Sequence, residues 1–263
     1  MMGKNLTAYD AIADIYDADM GANLSFDDVA FYRDQASQSG GPVLELGCGT
    51  GRVSLALAQA GFDIFGLDRS EPMIQRMNLK AAELGIKIPS VVADAAYAPF
   101  ASHFRLIIAP FSMIVYSLDD EALDRVFETA RRCLAPGGRF VVDAFIPRDM
   151  SAMSGFVLDY DRPFGSGRLL RRRRVVGIGG GRNEVTREYE IKGCGKQDRK
   201  WRTVEIIRPT TNAMLQKSAS SAGFRPLNVS HDYGYSDGSD ARFLTAIFLA
   251  LPDEGRTAQR ETL

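Results

Sequence analysis

Residues 43–52 read VLELGCGTGR, and this stretch decides the fold of the chain. An apolar run typical of a buried strand leads directly into glycines at alternate positions, Gly47, Gly49 and Gly51. Glycines permit a tight turn and remove the side chains that would keep a ligand away from the backbone. The helix predicted to follow offers unpaired N–H groups and the positive end of its dipole to an anionic group. The stretch therefore predicts a strand, a ligand-binding glycine loop and a helix.

An acidic residue at the end of the next predicted strand strengthens this interpretation. Residues 62–67 (FDIFGL) predict a strand, and Asp68 stands at its carboxyl end, about 20 residues beyond Gly47. A carboxylate at this place can accept hydrogen bonds from both hydroxyls of a ribose. A solvated strand end is the plainer interpretation of Asp68, but the neighbouring glycine loop favours a ligand. The two motifs together indicate a site for a ribose that carries an anionic group.

The rest of the first half alternates between strands and helices. Apolar runs predict further strands at residues 87–92, 105–109 and 139–145. Ser70 has the chemistry of an N-cap for the second helix, and apolar residues at helical spacing predict another helix over 119–134. Strands that alternate with helices of this length imply parallel pairing through right-handed crossovers. The predicted fold class is α/β, with a doubly wound sheet.

The rhythm changes from residue 146 onward. Three segments alternate in the manner of antiparallel strands, with glycine-rich turns between them: 168–176, 183–192 and 200–207. A helix capped by Thr210 or Thr211 then marks the return of the core, followed by strands over 225–229 and 243–251. The second half therefore predicts an antiparallel β insertion and two closing strands of the main sheet.

Residues 171–174 are four consecutive arginines, the most basic run in the chain. Alternate side chains of a strand point to opposite faces, so at most two of these arginines share a surface. One interpretation is an edge strand that charge protects from unwanted pairing. The other is a pair of arginines that receives an anionic acceptor such as a phosphate or carboxylate. The edge strand is the favoured interpretation.

Four motifs in this order resemble those of a known family. Residues 43–52 are similar to the glycine-rich signature of class I methyltransferases that use S-adenosylmethionine (SAM). Three downstream motifs are also similar: 66–70 (GLDRS) with Met73, 92–95 (VADA) and 134–140 (LAPGGRF). The resemblance implies a Rossmann-like, doubly wound sheet of seven strands whose last strand is antiparallel.

Within that family the chain resembles the small-molecule branch that includes glycine N-methyltransferase and the amino-sugar N-methyltransferases. The opening residues 9–17 (YDAIADIYD) and the antiparallel insertion carry this similarity. It implies an N-terminal helical lid in which Tyr9 or Tyr16 closes over the cofactor carboxylate. The implied organisation is a lid (1–40), a SAM-binding core (41–148), an antiparallel roof over the acceptor (149–208), the end of the core (209–251) and a disordered tail (252–263).

The resemblance also implies a cofactor site for SAM, with S-adenosylhomocysteine (SAH) as product, and no metal. The implied cofactor-binding residues are Tyr9, Tyr16, Gly47, Cys48 through its backbone, Gly49, Asp68, Arg69, Met73, Asp94, Ala95, Pro110 and Phe111. Asp68 would bind the ribose, Met73 would cover the adenine, and Asp94 would accept from the adenine amino group. Pro110 and Phe111 would face the sulfonium and the incoming acceptor.

Methyl transfer from a sulfonium mainly requires that nucleophile, methyl group and sulfur are aligned and that water is excluded. A base helps when the acceptor is a protonated amine or a hydroxyl. Tyr116 stands where the resemblance implies a polar or histidine residue beside the acceptor, and His231 follows the sixth predicted strand of the core. Each also has a structural interpretation, as a buried aromatic and as a structural histidine. His103 is interpreted as a solvated loop residue.

Composition limits the other classes of function. A length of 263 residues favours one core with an insertion, and a formal net charge of −1 indicates neither a nucleic-acid nor a membrane partner. Three distant cysteines form no disulfide or zinc pattern and favour a reducing compartment. Neither a signal peptide nor an apolar run of membrane-spanning length is visible, so we expect a cytoplasmic protein. The expected acceptor is a small molecule, with nitrogen and oxygen both open, and the edges of the insertion would allow a homodimer.

Other classes of protein share parts of this pattern. A nicotinamide-dependent oxidoreductase would need a third glycine at dinucleotide spacing and a catalytic set. A nucleic-acid methyltransferase would need a basic domain, or an Asn-Pro-Pro-Tyr-like motif where residues 109–112 read APFS. A SAM-binding protein without catalytic activity would keep the same glycine loop and Asp68, so the sequence leaves that alternative open.

Overall fold

The structure of the chain is a computed structural model that describes residues 8–20, 27–146, 155–193 and 198–252. In chain order its helices are α1 (Tyr16–Met20), α2 (Asp28–Ser39), α3 (Arg52–Gln59), α4 (Glu71–Glu83), α5 (Asp120–Cys133) and α6 (Asn212–Ser221). Its strands are β1 (Val43–Leu46), β2 (Ile64–Asp68), β3 (Ser90–Val92), β4 (Phe104–Ala109), β5 (Leu134–Phe145), β6 (Val157–Phe164), β7 (Gly167–Gly179), β8 (Arg182–Lys192), β9 (Arg199–Ile207), β10 (Phe224–His231) and β11 (Phe243–Ala250).

Cys194 and all but the first residue of the predicted disordered tail (252–263) lie outside the described residues. Within the described ranges, no helix combines the length and the apolar character that a membrane crossing requires.

A seven-stranded sheet forms the core, in the spatial order β3-β2-β1-β4-β5-β11-β10. Strands β1 to β5 pair in parallel, whereas β11 runs antiparallel to both of its neighbours, β5 and β10. All four residues of β1 are buried because helices cover both faces of the sheet at its centre. The predicted α/β class, with seven strands and an antiparallel last strand, is confirmed.

Local capping explains where several helices begin. Ser70 caps α4, and its hydroxyl accepts from the Met73 N–H at 3.4 Å. Thr211, one of two predicted candidates, caps α6 by accepting from the Met214 N–H at 3.3 Å. Each cap supplies an acceptor for an N–H group that has no partner inside the helix.

Two core strands begin three or more residues away from their predicted starts. The third strand begins at Ser90 instead of residue 87, and Pro89, which has no N–H, directly precedes it. The fifth strand begins at Leu134 instead of residue 139, so the residues expected only to end the preceding helix already belong to β5. There Phe104 pairs with Leu134, and an irregularity in the register lets the pairing resume with Leu106 and Arg139.

A second, antiparallel sheet with the order β6-β7-β8-β9 is inserted in the chain between β5 and β10. Strand β6 was not predicted, because the sequence of 157–164, VLDYDRPF, mixes charges and a proline with its apolar residues. The interpretation of 171–174 as an edge strand was wrong, since β7 lies between β6 and β8. The predicted alternation does hold: Arg171 is buried, while Arg172 on the opposite face is exposed.

The N-terminal region contributes to two different layers. In α2, Tyr32 and Ala36 are fully buried against the core sheet, and Asp28 forms a bidentate ion pair with Arg52 of α3 at 2.6 and 2.7 Å. The preceding segment, from Tyr9 through α1, packs instead against the inner face of the second sheet. This segment therefore lies between the second sheet and the core.

Candidate active site

A cavity of about 220 Å³ lies where the carboxyl ends of the parallel core strands meet. The loops that follow β1, β2, β3 and β4 supply most of its wall, and the N-terminal segment and α5 complete it. Parallel strands end at the same edge of a sheet, and ligands of doubly wound folds bind at that edge.

All but two of the predicted site residues line this cavity: Tyr9, Tyr16, Gly47, Gly49, Asp68, Arg69, Met73, Asp94, Ala95, Pro110, Phe111 and Tyr116. The exceptions are Cys48 and His231. Cys48 is buried behind the loop and its backbone N–H donates to the Leu67 carbonyl at 2.9 Å. His231 ends β10 and pairs with Ser236, so the structure does not bring it to the cavity wall.

The glycine loop needs its glycines for two different reasons. Gly47 and Gly49 have positive φ values of 72° and 55°, which other residues rarely adopt. A Cβ atom on Gly47 would lie 2.6 Å from Cγ of Met113, so that position is also crowded. A Cβ atom on Gly49 would meet its first neighbour, the Tyr16 ring, only at 3.9 Å. The backbone at Gly49 is therefore open to a ligand on the cavity side.

Asp68 is held rigidly at the end of β2. Its two carboxylate oxygens accept from the backbone N–H groups of Gly49 and Ser70, both at 2.8 Å. Burial raises the pKa of Asp68, although these two N–H groups act in the opposite direction. Each oxygen of a carboxylate can accept more than one hydrogen bond. The arrangement couples the glycine loop to a carboxylate that can still bind ribose hydroxyls.

Glu45, which precedes the loop in β1, lies behind the cavity wall. It is 3% exposed and accepts a hydrogen bond from the Ser54 hydroxyl of α3. Burial raises the pKa of Glu45 to about 8, and the hydrogen bond from Ser54 only partly offsets this. The carboxyl group therefore joins β1 to α3 directly beneath the glycine loop.

Asp143, which sequence analysis missed, holds the turn after β4. Its carboxylate accepts from the backbone N–H groups of Phe111, at 2.8 Å, and of Ser112. The φ values of Phe111 and Ser112 are 58° and 59°, a conformation that costs energy in residues other than glycine. The one signal in the sequence is an aspartate inside an apolar run, residues 140–145 (FVVDAF). Asp143 thereby fixes the backbone of a wall residue, Phe111.

The segment from Tyr9 through α1 covers the cavity and is tied to its rim. The rings of Tyr9 and Tyr16 meet edge to face at 5.9 Å. Asp10 accepts from the Ser70 hydroxyl at 2.5 Å, and Asp17 accepts from the Thr50 hydroxyl at 2.5 Å. These contacts join the covering segment to the loops that follow β2 and β1.

A buried ion pair ties the same segment to the second sheet. Asp19 of α1 is fully buried and accepts from Arg171 at 2.5 Å, from Tyr189 at 3.0 Å and from Tyr160. Burial alone would lower the pKa of Arg171, but Asp19 and Asp159 outweigh it and raise that pKa. Arg171 is therefore a structural partner of the covering segment.

A second polar group joins the cavity wall to the second sheet. The Tyr116 hydroxyl donates to Glu205 of β9 at 2.8 Å and lies 2.5 Å from the Tyr9 hydroxyl. Arg187 of β8 forms an ion pair with Glu205, and the Arg69 guanidinium stacks 5.0 Å from the centre of the Tyr116 ring. Neither Arg187 nor Glu205 was predicted, because each belongs to a strand of the insertion that carries no motif.

Comparison with known proteins agrees with this geometry. Residues 43–138 match the family model described as a methyltransferase domain. The cypemycin N-terminal methyltransferase of a Streptomyces species is 27% identical over 165 residues, which cover 63% of this chain and 64% of that protein. A SAM-dependent methyltransferase from Clostridium acetobutylicum has a TM-score of 0.78 at 17% identity, with 94% of this chain and 100% of that chain covered. The sugar N-methyltransferase KedS8 from a Streptoalloteichus species has a TM-score of 0.75 at 17% identity, with 96% of each chain covered.

Residues 43–138 therefore match a methyltransferase domain, and the chain shares the fold of these two solved methyltransferases. The chain spans 64% of the first curated relative and 45% of the next, less than two thirds of either. The matched residues, 43–138, contain the glycine loop, Asp68 and the turn at Phe111.

Proposed function

We propose that this chain is a SAM-dependent methyltransferase that transfers a methyl group to a nitrogen or oxygen atom of a small-molecule metabolite. The observation that carries the proposal is the coupling of the open glycine loop to Asp68. The Gly49 N–H donates to the Asp68 carboxylate at 2.8 Å, beside a cavity that Tyr9 and Tyr16 cover. A ribose-binding carboxylate next to an exposed backbone suits a nucleoside with an amino-acid group.

The residues of the wall fit the parts of SAM. Asp68 would bind the ribose hydroxyls, and the backbone at Gly49 would approach the methionine part. Asp94 caps a short helical turn by accepting from the Ala96 N–H at 2.8 Å, which places its carboxylate beside the cavity. It would accept from the adenine amino group, next to the backbone N–H of Ala95, while Met73 would cover the ring.

When bound, SAM would supply a methyl group already activated on a sulfonium. The residues of the chain would align the reactants and exclude water, which is the main requirement of the displacement. Pro110 and Phe111 at the end of β4 would face the sulfonium and the acceptor. Asp143 would keep Phe111 in place through its backbone N–H.

The names of the relatives support a natural-product metabolite as the acceptor. They include the cypemycin N-terminal methyltransferase and the sugar N-methyltransferase KedS8. We assign cofactor binding to residues 41–148 and 209–251. Within the predicted lid, 1–40, we assign the covering role to the segment from Tyr9 through α1, because α2 packs against the core sheet. Residues 149–208 would form the roof of the acceptor site. Pairing of two copies through the edge strands of the second sheet stays a prediction, which light scattering would test.

Calorimetric titration with SAM, SAH and NADH tests the proposal. We expect the chain to bind both sulfur ligands and not NADH. Asp68→Ala removes the ribose contacts and should weaken SAH binding roughly 100-fold or more, because two hydrogen bonds to a charged group are lost. Asp63→Ala, at an exposed residue just before β2, is the matched control and should bind normally. Unchanged affinity in Asp68→Ala, or binding of NADH alone, would refute the assignment.

Methyl transfer itself is tested by incubating the chain with SAM and a panel of small amines, phenols and anionic metabolites. A product heavier by one methyl group, detected by mass spectrometry, distinguishes an enzyme from a SAM-binding protein without catalytic activity.

A further inference from the structure

Four side chains from three parts of the fold form one hydrogen-bonded chain beside the cavity: Arg187, Glu205, Tyr116 and Tyr9. Arg187 donates to one carboxylate oxygen of Glu205, and the Tyr116 hydroxyl donates to the other at 2.8 Å. The hydroxyl oxygens of Tyr116 and Tyr9 are 2.5 Å apart. The two tyrosines line the main cavity, whereas Arg187 and Glu205 line a smaller void that also borders Tyr9. Glu205 therefore reaches the main cavity only through the tyrosines.

The charged pair at one end of this hydrogen-bonded series, Arg187 and Glu205, determines the direction of each hydrogen bond. A guanidinium only donates and an ionised carboxylate only accepts, so the Tyr116 proton is directed to Glu205. The oxygen of Tyr116 is then the acceptor in its contact with Tyr9, and Tyr9 is the donor. Both phenol protons are used within the chain. The two hydroxyls can therefore offer only lone pairs to a ligand in the cavity.

The two tyrosines keep their phenol protons and so are not available as bases. Burial raises the pKa of both Tyr9 and Tyr116, and the nearby Glu205 carboxylate raises both further. An alcohol that accepts a methyl group needs a base to remove its proton. A neutral amine already has a nucleophilic lone pair, so it needs only acceptors for its N–H groups. The direction of these hydrogen bonds therefore suits an amine as methyl acceptor better than an alcohol.

We propose that Glu205 is a positioning residue that acts through Tyr116 and Tyr9 to present hydrogen-bond acceptors to the N–H of the amine that receives the methyl group. The inference rests on the proposed function and narrows its acceptor to a primary or secondary amine. In the transfer the nitrogen lone pair forms the N–C bond while the C–S bond breaks, and SAH leaves as a neutral thioether. The positive charge passes from sulfur to nitrogen, and the phenol oxygens accept hydrogen bonds from the N–H groups of the methylated amine. The amine later loses its extra proton to water.

A probe that needs no known acceptor tests this inference. In sinefungin, an analogue of SAM, a carbon that bears an amino group replaces the methylated sulfonium. It therefore places N–H donors where the methyl group is delivered, and SAH has no donor there. The measured quantity is the ratio of the dissociation constants of SAH and sinefungin, obtained by calorimetry. A residue that only supports the fold would change both constants together.

Glu205→Gln should reverse the direction of the hydrogen bonds that link residue 205, Tyr116 and Tyr9. Arg187 can donate only to the side-chain oxygen of the new glutamine. The glutamine NH2 group therefore faces Tyr116 and donates to its hydroxyl oxygen. Tyr116 then donates to Tyr9, and Tyr9 donates into the cavity, where it opposes the amino group of sinefungin. We expect the wild type to prefer sinefungin to SAH, and Glu205→Gln to lose that preference by roughly 10- to 100-fold with SAH binding unchanged.

Two further variants separate the direction of the hydrogen bonds from the change in charge. Tyr116→Phe removes the hydroxyl that links Glu205 to Tyr9 without altering any charge, and it should also lose the preference for sinefungin. Glu188→Gln is the matched control, because Glu188 pairs with Arg202 at 2.6 Å on the same sheet without lining either cavity. It should keep the wild-type ratio.

Several outcomes would overturn the inference. They are a wild type without the preference, an unchanged ratio in Glu205→Gln or Tyr116→Phe, and an equal loss of SAH and sinefungin binding. An equal loss of both ligands would mean that the four hydrogen-bonded side chains only hold the cofactor or the covering segment. Failure of the wild type to bind SAH would instead refute the proposed function, so the two failures are distinguishable.

Discussion

Replacing Asp143 with asparagine tests whether one buried carboxylate organises the turn that ends β4. Asp143 has no exposed surface. Its Oδ2 accepts from the hydroxyls of Tyr32 and Tyr233, at 2.7 and 2.6 Å, and from the Phe111 N–H at 2.8 Å. Its Oδ1 accepts from the Ser112 N–H. An amide has only one oxygen, so it cannot serve all four donors.

The geometry sets the size of the effect. The asparagine side chain keeps most of its bonds when its oxygen takes the Oδ2 position, and its NH2 group then faces the Ser112 N–H. One buried donor loses its acceptor, which costs about 1–3 kcal/mol, and the remaining three bonds lose the assistance of the charge. We expect Asp143→Asn to lower the free energy of unfolding by about 2–4 kcal/mol, a large part of the roughly 5–15 kcal/mol of a typical domain.

Urea unfolding followed by circular dichroism measures this loss. With a slope of about 3 kcal/mol per molar urea, the midpoint should fall by about 1 M. Tyr32→Phe is the graded control, because it removes one of the four donors and should cost about 1 kcal/mol. A midpoint shift below about 0.2 M in Asp143→Asn would refute the reasoning, since it would mean that the turn does not depend on the carboxylate.

Three further predictions concern other buried or strained groups. Because burial raises the pKa of Glu45 to about 8, the folded chain holds a proton that the unfolded chain releases above about pH 4.5. The unfolding free energy of the wild type should therefore fall by about 4 kcal/mol relative to Glu45→Gln between pH 5 and 9, and parallel pH profiles would contradict this. Asp19→Asn leaves Arg171 buried with one partner fewer and should cost about 3 kcal/mol in urea unfolding, so a loss below about 1 kcal/mol would show that the pair is dispensable. Gly49→Ala should weaken SAH binding at least about tenfold in calorimetry because its Cβ enters the cavity wall. Gly40→Ala shares the positive φ but has open space around it, and equal effects in the two variants would argue against a ligand at Gly49.

The parts of the site that could be predicted from the sequence are those whose geometry is local. Gly47 and Gly49 lie in a loop whose conformation needs glycine, so the residue type itself reveals the backbone. Asp68 follows a recognisable strand, and parallel strands bring their ends to one edge. Ser70 caps the helix that begins beside it. For each of these, a few neighbouring residues determine the structure.

The parts that could not be predicted depend on partners far away in the chain. Asp143 looks like an interruption of an apolar strand until the N–H groups of Phe111 and Ser112, more than 30 residues earlier, converge on it. Arg171 was interpreted as a charge on an edge strand because Asp19 is 152 residues away and the unpredicted β6 lies beside it. In both cases a charged side chain is buried because another element brings its partners.

The sequence by itself determined the α/β class, the order of the core elements and the position of the glycine loop with its carboxylate. These follow from hydrophobic periodicity and from residue types that permit only a narrow range of local conformations. Only the tertiary structure decided that the N-terminal segment lies between the second sheet and the core, and that Tyr9, Tyr116 and Glu205 meet. Such contacts form between segments up to almost 200 residues apart, and their energy depends on burial and on partners that no local pattern of residues encodes.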